Sequence, residues 1–310
     1  MFSVIFPGQG SQSVGMIKEV HDNFTYIKDL FKQADDELGY SISKIILEGP
    51  KEDLDLTQNT QPAIFLASYS IFEMIKKESK LNLESAKYFA GHSLGEYSAL
   101  AASGSLDFKN AIKLLNERGK AMQTAVPKGT GGMVAVLGAE IEELNNLLKQ
   151  NQNEYKCYIA NDNSNGQIVF SGLNTDIDKF IDTLKSKKIK NIKLPVSAPF
   201  HCRLMDKATS IMRDKITNTN FEKPNNAIIS NVTATETKDI DKIKDLLIKQ
   251  IESPVRWRES VIYMIENGVK NFIEIGPGKV LSGLVKRIDK TINVNTVNKF
   301  EDLTNIKLND

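Results

Sequence analysis

The sequence predicts an α/β fold: a largely parallel sheet covered by helices on both faces, with a smaller domain of ferredoxin-like β-α-β-β-α-β order inserted into it. Two observations lead there. The runs SVIFP (3–7), AKYFA (86–90), NAIISNV (226–232), NFIEIG (271–276) and INVNTV (292–297) are short, apolar and mostly separated by helical stretches, as strands buried on both faces are. The middle of the chain has a different rhythm. MVAVLG (133–138) reads as a strand and EIEELNNLLKQ (140–150) as an amphipathic helix; KCYIAN (156–161) and QIVFSG (167–172) read as strands joined by the turn residues DNSNG. TDIDKFIDTLKSKK (175–188) reads as a second helix and NIKLPV (191–196) as a last strand, which completes the ferredoxin-like order. Because PKGTGG precedes this segment and PVSAPF follows it, residues 128–198 are expected to form the insert, with 1–127 and 199–310 forming the larger domain.

Composition narrows the function. With 310 residues, 41% of them hydrophobic and 25% charged, the chain can bury a sizeable core. A formal net charge of +1 supplies no global field for nucleic acid or an anionic membrane, so neither is an expected partner. The start MFSVIFPGQGSQ lacks a basic region followed by a long apolar run, and no apolar segment elsewhere is long enough to span a bilayer; a cytoplasmic location is expected. Cys157 and Cys202 stand alone, without a disulfide framework or metal-ligand spacing, and no metal site is expected.

Taken in chain order, the elements offer chemistry at four places. FPGQGSQ (6–12) is a glycine-rich loop after the first strand; a dinucleotide reading fails because G-x-G-x-x-G breaks at Ser13 and no Walker sequence occurs. GHSLG (91–95) follows a strand and precedes the helical EYSALAAS, the setting of a nucleophile elbow, in which flanking glycines let the backbones pass and lift Ser93 above the sheet edge. In NAIKLLNERGKAMQ (110–123), Ala111, Leu114, Leu115, Arg118 and Met122 share one helix face, so Arg118 is expected to be buried. The residues alone favour an internal salt bridge, or a snorkelling side chain, over a ligand anion. Three histidines are available as a base for Ser93: His21 in a polar helical region, His92 beside the serine and better suited to support the elbow, and His201 in PVSAPFHC, where the chain leaves the insert. His201 is the expected base, with helix capping as the alternative and Cys202 as a rival nucleophile that has no elbow of its own. An oxyanion would find the Leu94 N–H at the helix start and a second donor in the Gln9 N–H.

Eight blocks, FPGQGSQ, GHSLGEYSAL, ERGKAMQ, ANDNSNGQIVFSG, SAPFHC, ISNVTA, SPVRW and FIEIGPGKVLSGL, follow in this order. Over nearly its whole length the chain thus resembles the malonyl-CoA:acyl carrier protein transacylases. The resemblance implies an α/β-hydrolase-like core with a ferredoxin-like insert. Matched block to block, it implies Ser93 as the acylated nucleophile, His201 as its base, Gln9 and Leu94 as oxyanion donors, and Arg118 as the clamp on the malonyl carboxylate. Gln250 corresponds to the residue whose backbone carbonyl orients the histidine. Phe200 resembles the bulky residue that excludes methylmalonyl groups, and Met122 and Asn163 are expected around the substrate. Where the family more often carries Asn-Ser-Pro-Gly, this chain has Asn165 in place of the proline, and a looser loop is expected.

The chemistry so implied is ping-pong transfer from malonyl-CoA to the phosphopantetheine thiol of acyl carrier protein, without a cofactor, by a monomer serving fatty acid synthesis. Lys185, Lys187, Lys188, Lys190 and Lys193 form a basic run that is either a solvated face or a dock for an acidic carrier. A serine hydrolase and a non-catalytic carrier-binding module are the rival classes.

Overall fold

The computed structural model describes residues 1–196 and 198–308. Ser197 of the SAPFHC block and the last two residues of the polar tail lie outside the described residues. Among the described residues, ten strands form two sheets. The larger contains β1 (Phe2–Phe6), β2 (Tyr88–Gly91), β7 (Ala227–Ile229), β8 (Glu236–Thr237), β9 (Asn271–Ile275) and β10 (Asn293–Val297), in the order β10-β9-β1-β2-β7-β8. Its strands pair in parallel except β8, which returns antiparallel to β7. β1, β2, β7 and β9 are buried along their whole length, so apolar residues on both sides of each strand have a core to enter. Val4, Phe6, Phe89, Ile228 and Ile273 face the layer that holds Phe65 and Phe72 of helix Thr57–Glu78. Ile5, Tyr88, Ala90, Ile229 and Phe272 face Trp257 and Val261 of helix Trp257–Glu266 and Leu281 and Leu284 of helix Val280–Ile288.

From β1 the sheet grows to one side through β2 and to the other through β9. The order therefore reverses between β1 and β9, and the carboxyl ends of these two strands flank a topological switch point, where open α/β sheets form a crevice. The FPGQGSQ loop leaves β1 there, and GHSLG leaves the neighbouring β2.

The second sheet is antiparallel, in the order β4-β5-β3-β6, from β3 (Gly131–Leu137), β4 (Cys157–Ser164), β5 (Gln167–Leu173) and β6 (Lys190–Lys193). With helices Ile141–Gln150 and Asn174–Ser186 it reproduces the β-α-β-β-α-β order read from the sequence. Val134, Val136, Ile168 and Phe170 pack under Leu144, Leu147, Ile177 and Phe180 of these helices, whereas Met133, Ala135 and Val169 on the opposite face join the main core. The turn differs from the expectation. β4 continues through Ser164 with irregularities between Ile159 and Asn161 and between Asp162 and Ser164, leaving Asn165 and Gly166 to make the reversal. Gly166 takes the left-handed φ of 67° that an Asn-Gly hairpin turn uses. NIKLPV is likewise shorter as a strand, ending at Lys193.

The sheets are tied through backbone. Val255 N–H donates to the Ala160 carbonyl at 2.8 Å and Asp162 N–H to the Val255 carbonyl at 2.9 Å. Arg258 then grips Asp162 through Nε and Nη2 at 2.8–3.0 Å.

Candidate active site

Ser93 sits at the tip of a turn that only small residues can make. A Cβ on Gly91 would lie 1.9 Å from the Gly95 carbonyl carbon, and one on Gly95 would lie 2.3 Å from the Phe6 carbonyl oxygen. Ser93 itself takes φ 54°, a left-handed conformation unusual for a side-chain-bearing residue. Its N–H donates to Asn231 Oδ1 at 2.7 Å, and the Asn231 Nδ2 donates to the Gly91 carbonyl at 2.8 Å, so one side chain on the loop after β7 braces both ends of the elbow. Helix Gly95–Ala102 starts directly behind the serine. Among the described residues, no acceptor takes the Leu94 or Gln9 N–H, and both residues line the cavity above Ser93.

His201 reaches that serine from 108 positions along the chain. Its Nε2 lies 2.8 Å from Ser93 Oγ, and its Nδ1 lies 2.9 Å from the Gln250 carbonyl oxygen. A carbonyl only accepts, so the proton belongs on Nδ1 and the Nε2 lone pair faces the hydroxyl. His201 also holds a left-handed φ, 57°. Burial, and next the nearby Arg118 charge, push its pKa down to about 3; the ring is a neutral acceptor near pH 7. Cys202 does not compete: it is buried, its Sγ lies 3.1 Å from the Pro199 carbonyl, and burial pushes its thiol up to about 11. Of the other histidines, His92 is held by residues outside the elbow. Its Nε2 lies 2.9 Å from Asn163 Oδ1 and its ring packs against Trp257. His21 is beside Asp22 and Phe31, away from the site.

Arg118 is fully buried, as its helix periodicity predicts. Neither alternative that the residues alone favour is met: among the described residues no carboxylate pairs with it, and a side chain 0% exposed does not snorkel to solvent. Two neutral amides hold it instead, Nη1 donating to Gln61 Oε1 and Nη2 to Gln250 Oε1, each at 2.8 Å. Nη2 also lies 3.3 Å from Ser93 Oγ, and Nε is buried without a partner. Burial lowers its pKa, yet a guanidinium stays charged under any ordinary condition. The arrangement is a cation with spare donors beside a nucleophile–base pair, suited to a short acyl group that ends in an anion.

Gln9, Gln61, Ser93, Leu94, Arg118, Met122, Phe200 and His201 are among the residues lining a cavity of about 110 Å³. The Asn163 side chain turns to His92, and Asn161 lines the cavity, as the irregularities in β4 shift the in–out alternation. Three contributors escaped the sequence reading: Gln61 on helix Thr57–Glu78, Asn231 after β7, and Glu96 one residue past the elbow, whose carboxylate accepts from Gln250 Nε2 at 2.8 Å. Asn231 lies inside the ISNVTA block, the one available signal for it. In the basic run, Lys185 pairs with Asp182 and Lys193 with Asp178, while Lys187, Lys188 and Lys190 are exposed. A larger groove, about 450 Å³ beside Glu37 and Glu117, is lined by charges already paired with lysines. Among the described residues no His, Cys, Asp and Glu cluster could hold a metal ion, and no helix is long and apolar enough to cross a membrane.

Known proteins carry this architecture. The malonyl CoA-acyl carrier protein transacylase of Haemophilus influenzae is 40% identical over 303 residues, covering 96% of each chain. The crystal structure of acyl-carrier-protein-S-malonyltransferase from Bartonella henselae superposes with a TM-score of 0.95 at 39% identity, covering 98% of this chain and 97% of that one. A solved complex of a type II PKS acyl-carrier protein with its malonyl-transacylase gives a TM-score of 0.93 at 37% identity, covering 98% and 97%. The family profile described as the acyl transferase domain matches residues 3–301, a span that includes every site residue above, and the chain belongs to that family of acyltransferases.

Proposed function

We propose that this chain moves a malonyl group from malonyl-CoA to the phosphopantetheine thiol of acyl carrier protein through a malonyl ester of Ser93, supplying extender units for fatty acid synthesis. The observation that carries the reading is the meeting of three groups: the Ser93 hydroxyl, 2.8 Å from the His201 Nε2 and 3.3 Å from the buried Arg118 Nη2. The names of the relatives and the carrier complex of a structural neighbour support the substrates.

His201 Nε2 takes the hydroxyl proton as Ser93 Oγ attacks the thioester carbonyl carbon. Negative charge develops on the carbonyl oxygen, toward the Gln9 and Leu94 N–H groups. Collapse breaks the C–S bond, and the departing CoA thiolate takes the proton from His201. In the second half, the carrier thiol gives its proton to His201 and attacks the Ser93 ester; the serine recovers the proton as the malonyl thioester leaves. Throughout, the Gln250 carbonyl keeps the imidazole turned to the hydroxyl, and Arg118 pairs with the free carboxylate. Phe200, Met122 and the neighbouring wall limit the acyl group to a small one. Asn163 acts through His92.

The exchange begins and ends with a thioester, so it is close to neutral overall and runs without nucleotide, metal or other cofactor; the protein supplies position, base and oxyanion donors. All the site groups come from one chain, which supports a working monomer, and the composition supports a cytoplasmic one. The strand orders support residues 128–198 as an insert in a catalytic domain formed by 1–127 and 199–310.

Replacing Arg118 by Ala tests the reading against a general serine acyltransferase or hydrolase. Malonyl transfer should fall on the order of 10²–10³-fold in kcat/KM while acetyl transfer is spared or rises, since the lost charge-assisted pairing serves only the carboxylated acyl group. Equal losses for both substrates would remove the clamp.

A further inference from the structure

Glu96 is a buried carboxylate that the transfer chemistry leaves unused. It is 2% exposed, on helix Gly95–Ala102, and its Oε2 accepts from the Asn231 N–H at 3.0 Å and from Gln250 Nε2 at 2.8 Å. The far end of the same carboxamide, Gln250 Oε1, accepts from Arg118 Nη2 at 2.8 Å. This amide has one satisfactory orientation. Its Nε2 also lies 3.1 Å from the Ser93 carbonyl oxygen and 3.3 Å from Asn231 Oδ1, and three oxygens would repel its own oxygen there. A buried anion and a buried cation thus face each other across one oriented dipole.

We propose that Glu96 is the counter-charge of Arg118, coupled to it through the Gln250 carboxamide, and that this coupling limits how tightly Arg118 grips a substrate carboxylate. The inference rests on the reading of Arg118 as the malonyl clamp. A carboxylate in direct contact would occupy the guanidinium and shut the substrate out. Behind the amide, Glu96 offsets part of the charge while the Arg118 Nε–H stays without a partner. The same negative charge repels a second carboxylate arriving at Arg118, so the malonyl group is held without being trapped before it is handed on.

Among the groups around it, Glu96 alone titrates near neutrality. Burial raises its pKa to about 7, against the lowering effects of the Asn231 and Gln250 hydrogen bonds and of Arg118. Facing it are Tyr97 on its own helix, pushed up to about 12 by burial, and Arg118 on helix Phe108–Thr124. Beyond Arg118 lies His201, pushed down to about 3, and His92 on the elbow is lowered by burial. Gln250 and Asn231 carry no charge.

Calorimetric binding of malonyl-CoA and acetyl-CoA to the full chain carrying Ser93→Ala, which cannot be acylated at that position, tests the proposal. Adding Glu96→Gln at pH 8 should tighten malonyl-CoA on the order of tenfold, as loss of a charge several ångströms away in a partly polar interior implies, and leave acetyl-CoA unchanged. Unchanged or weaker malonyl-CoA binding overturns the proposal. If the double variant does not accumulate folded, Ser93→Ala alone decides: malonyl-CoA affinity relative to acetyl-CoA should rise from pH 8 to pH 6, and a flat ratio overturns the proposal. Should Ser93→Ala bind malonyl-CoA no better than acetyl-CoA at any pH, the clamp reading falls and the proposal with it.

Discussion

His201 works as a neutral imidazole because burial and the Arg118 charge keep its pKa at about 3, and that same displacement ties it to stability. An unfolded chain protonates this side chain near the usual value of about 6.5. Between 6.5 and 3 the unfolded state therefore binds more protons than the folded one, and stability falls as pH falls. Glu96 has the opposite sign: its raised pKa of about 7 makes it a source of stability that is lost as pH rises from about 4.5 through 7. His201→Asn removes only the first effect. In urea unfolding from pH 7 to pH 4, wild type should lose about 3 kcal/mol relative to His201→Asn; parallel curves would contradict the burial of a neutral imidazole. A substrate carboxylate on Arg118 acts in the same direction as catalysis needs, since neutralising that charge makes the imidazole a stronger base.

The elbow is the element most completely written in its own residues. Gly91→Ala places a methyl group inside the Gly95 peptide, and neither backbone segment has a flexible end that can yield. Unfolding by urea should register a loss of about 3 kcal/mol or more, or the protein should fail to accumulate. GHSLG was legible because its constraint is local, a strand, a sharp turn and a helix within a few residues. Arg118 was half legible: spacing along its helix told that it is buried, but its partners Gln61 and Gln250 come from two other elements, and no local period announces them. The direction of the Asn163 side chain is not legible for a similar reason. Alternation along a strand places side chains only while the pairing is regular, and β4 breaks register on both sides of Asn161 and Asp162. The DNSNG turn shrank to Asn165 and Gly166 as the strand ran on.

Across the whole molecule, two sheets must meet with the cavity between them. The order of strands in the insert was readable from hydrophobic periods, and the parallel character of the main sheet from its apolar runs. Their junction was not, because it rests on a short backbone pairing at Val255 and on the Arg258–Asp162 pair, contacts between segments nearly a hundred residues apart. Asp162 is only 3% exposed in its side chain. Arg258→Met should strand that carboxylate and cost about 3 kcal/mol in urea unfolding. It should also raise KM for malonyl-CoA, since β4 carries Asn161 into the cavity; an unchanged KM would show that the junction does not position the site.

The serine ester is the claim on which the rest depends, and intact-mass spectrometry with peptide mapping after brief mixing with malonyl-CoA tests it most directly. One malonyl group per chain should appear on the peptide containing Ser93, disappear when acyl carrier protein with its phosphopantetheine arm is added, and be absent from Ser93→Ala. An adduct on Cys202, or one that persists in Ser93→Ala, would contradict the account.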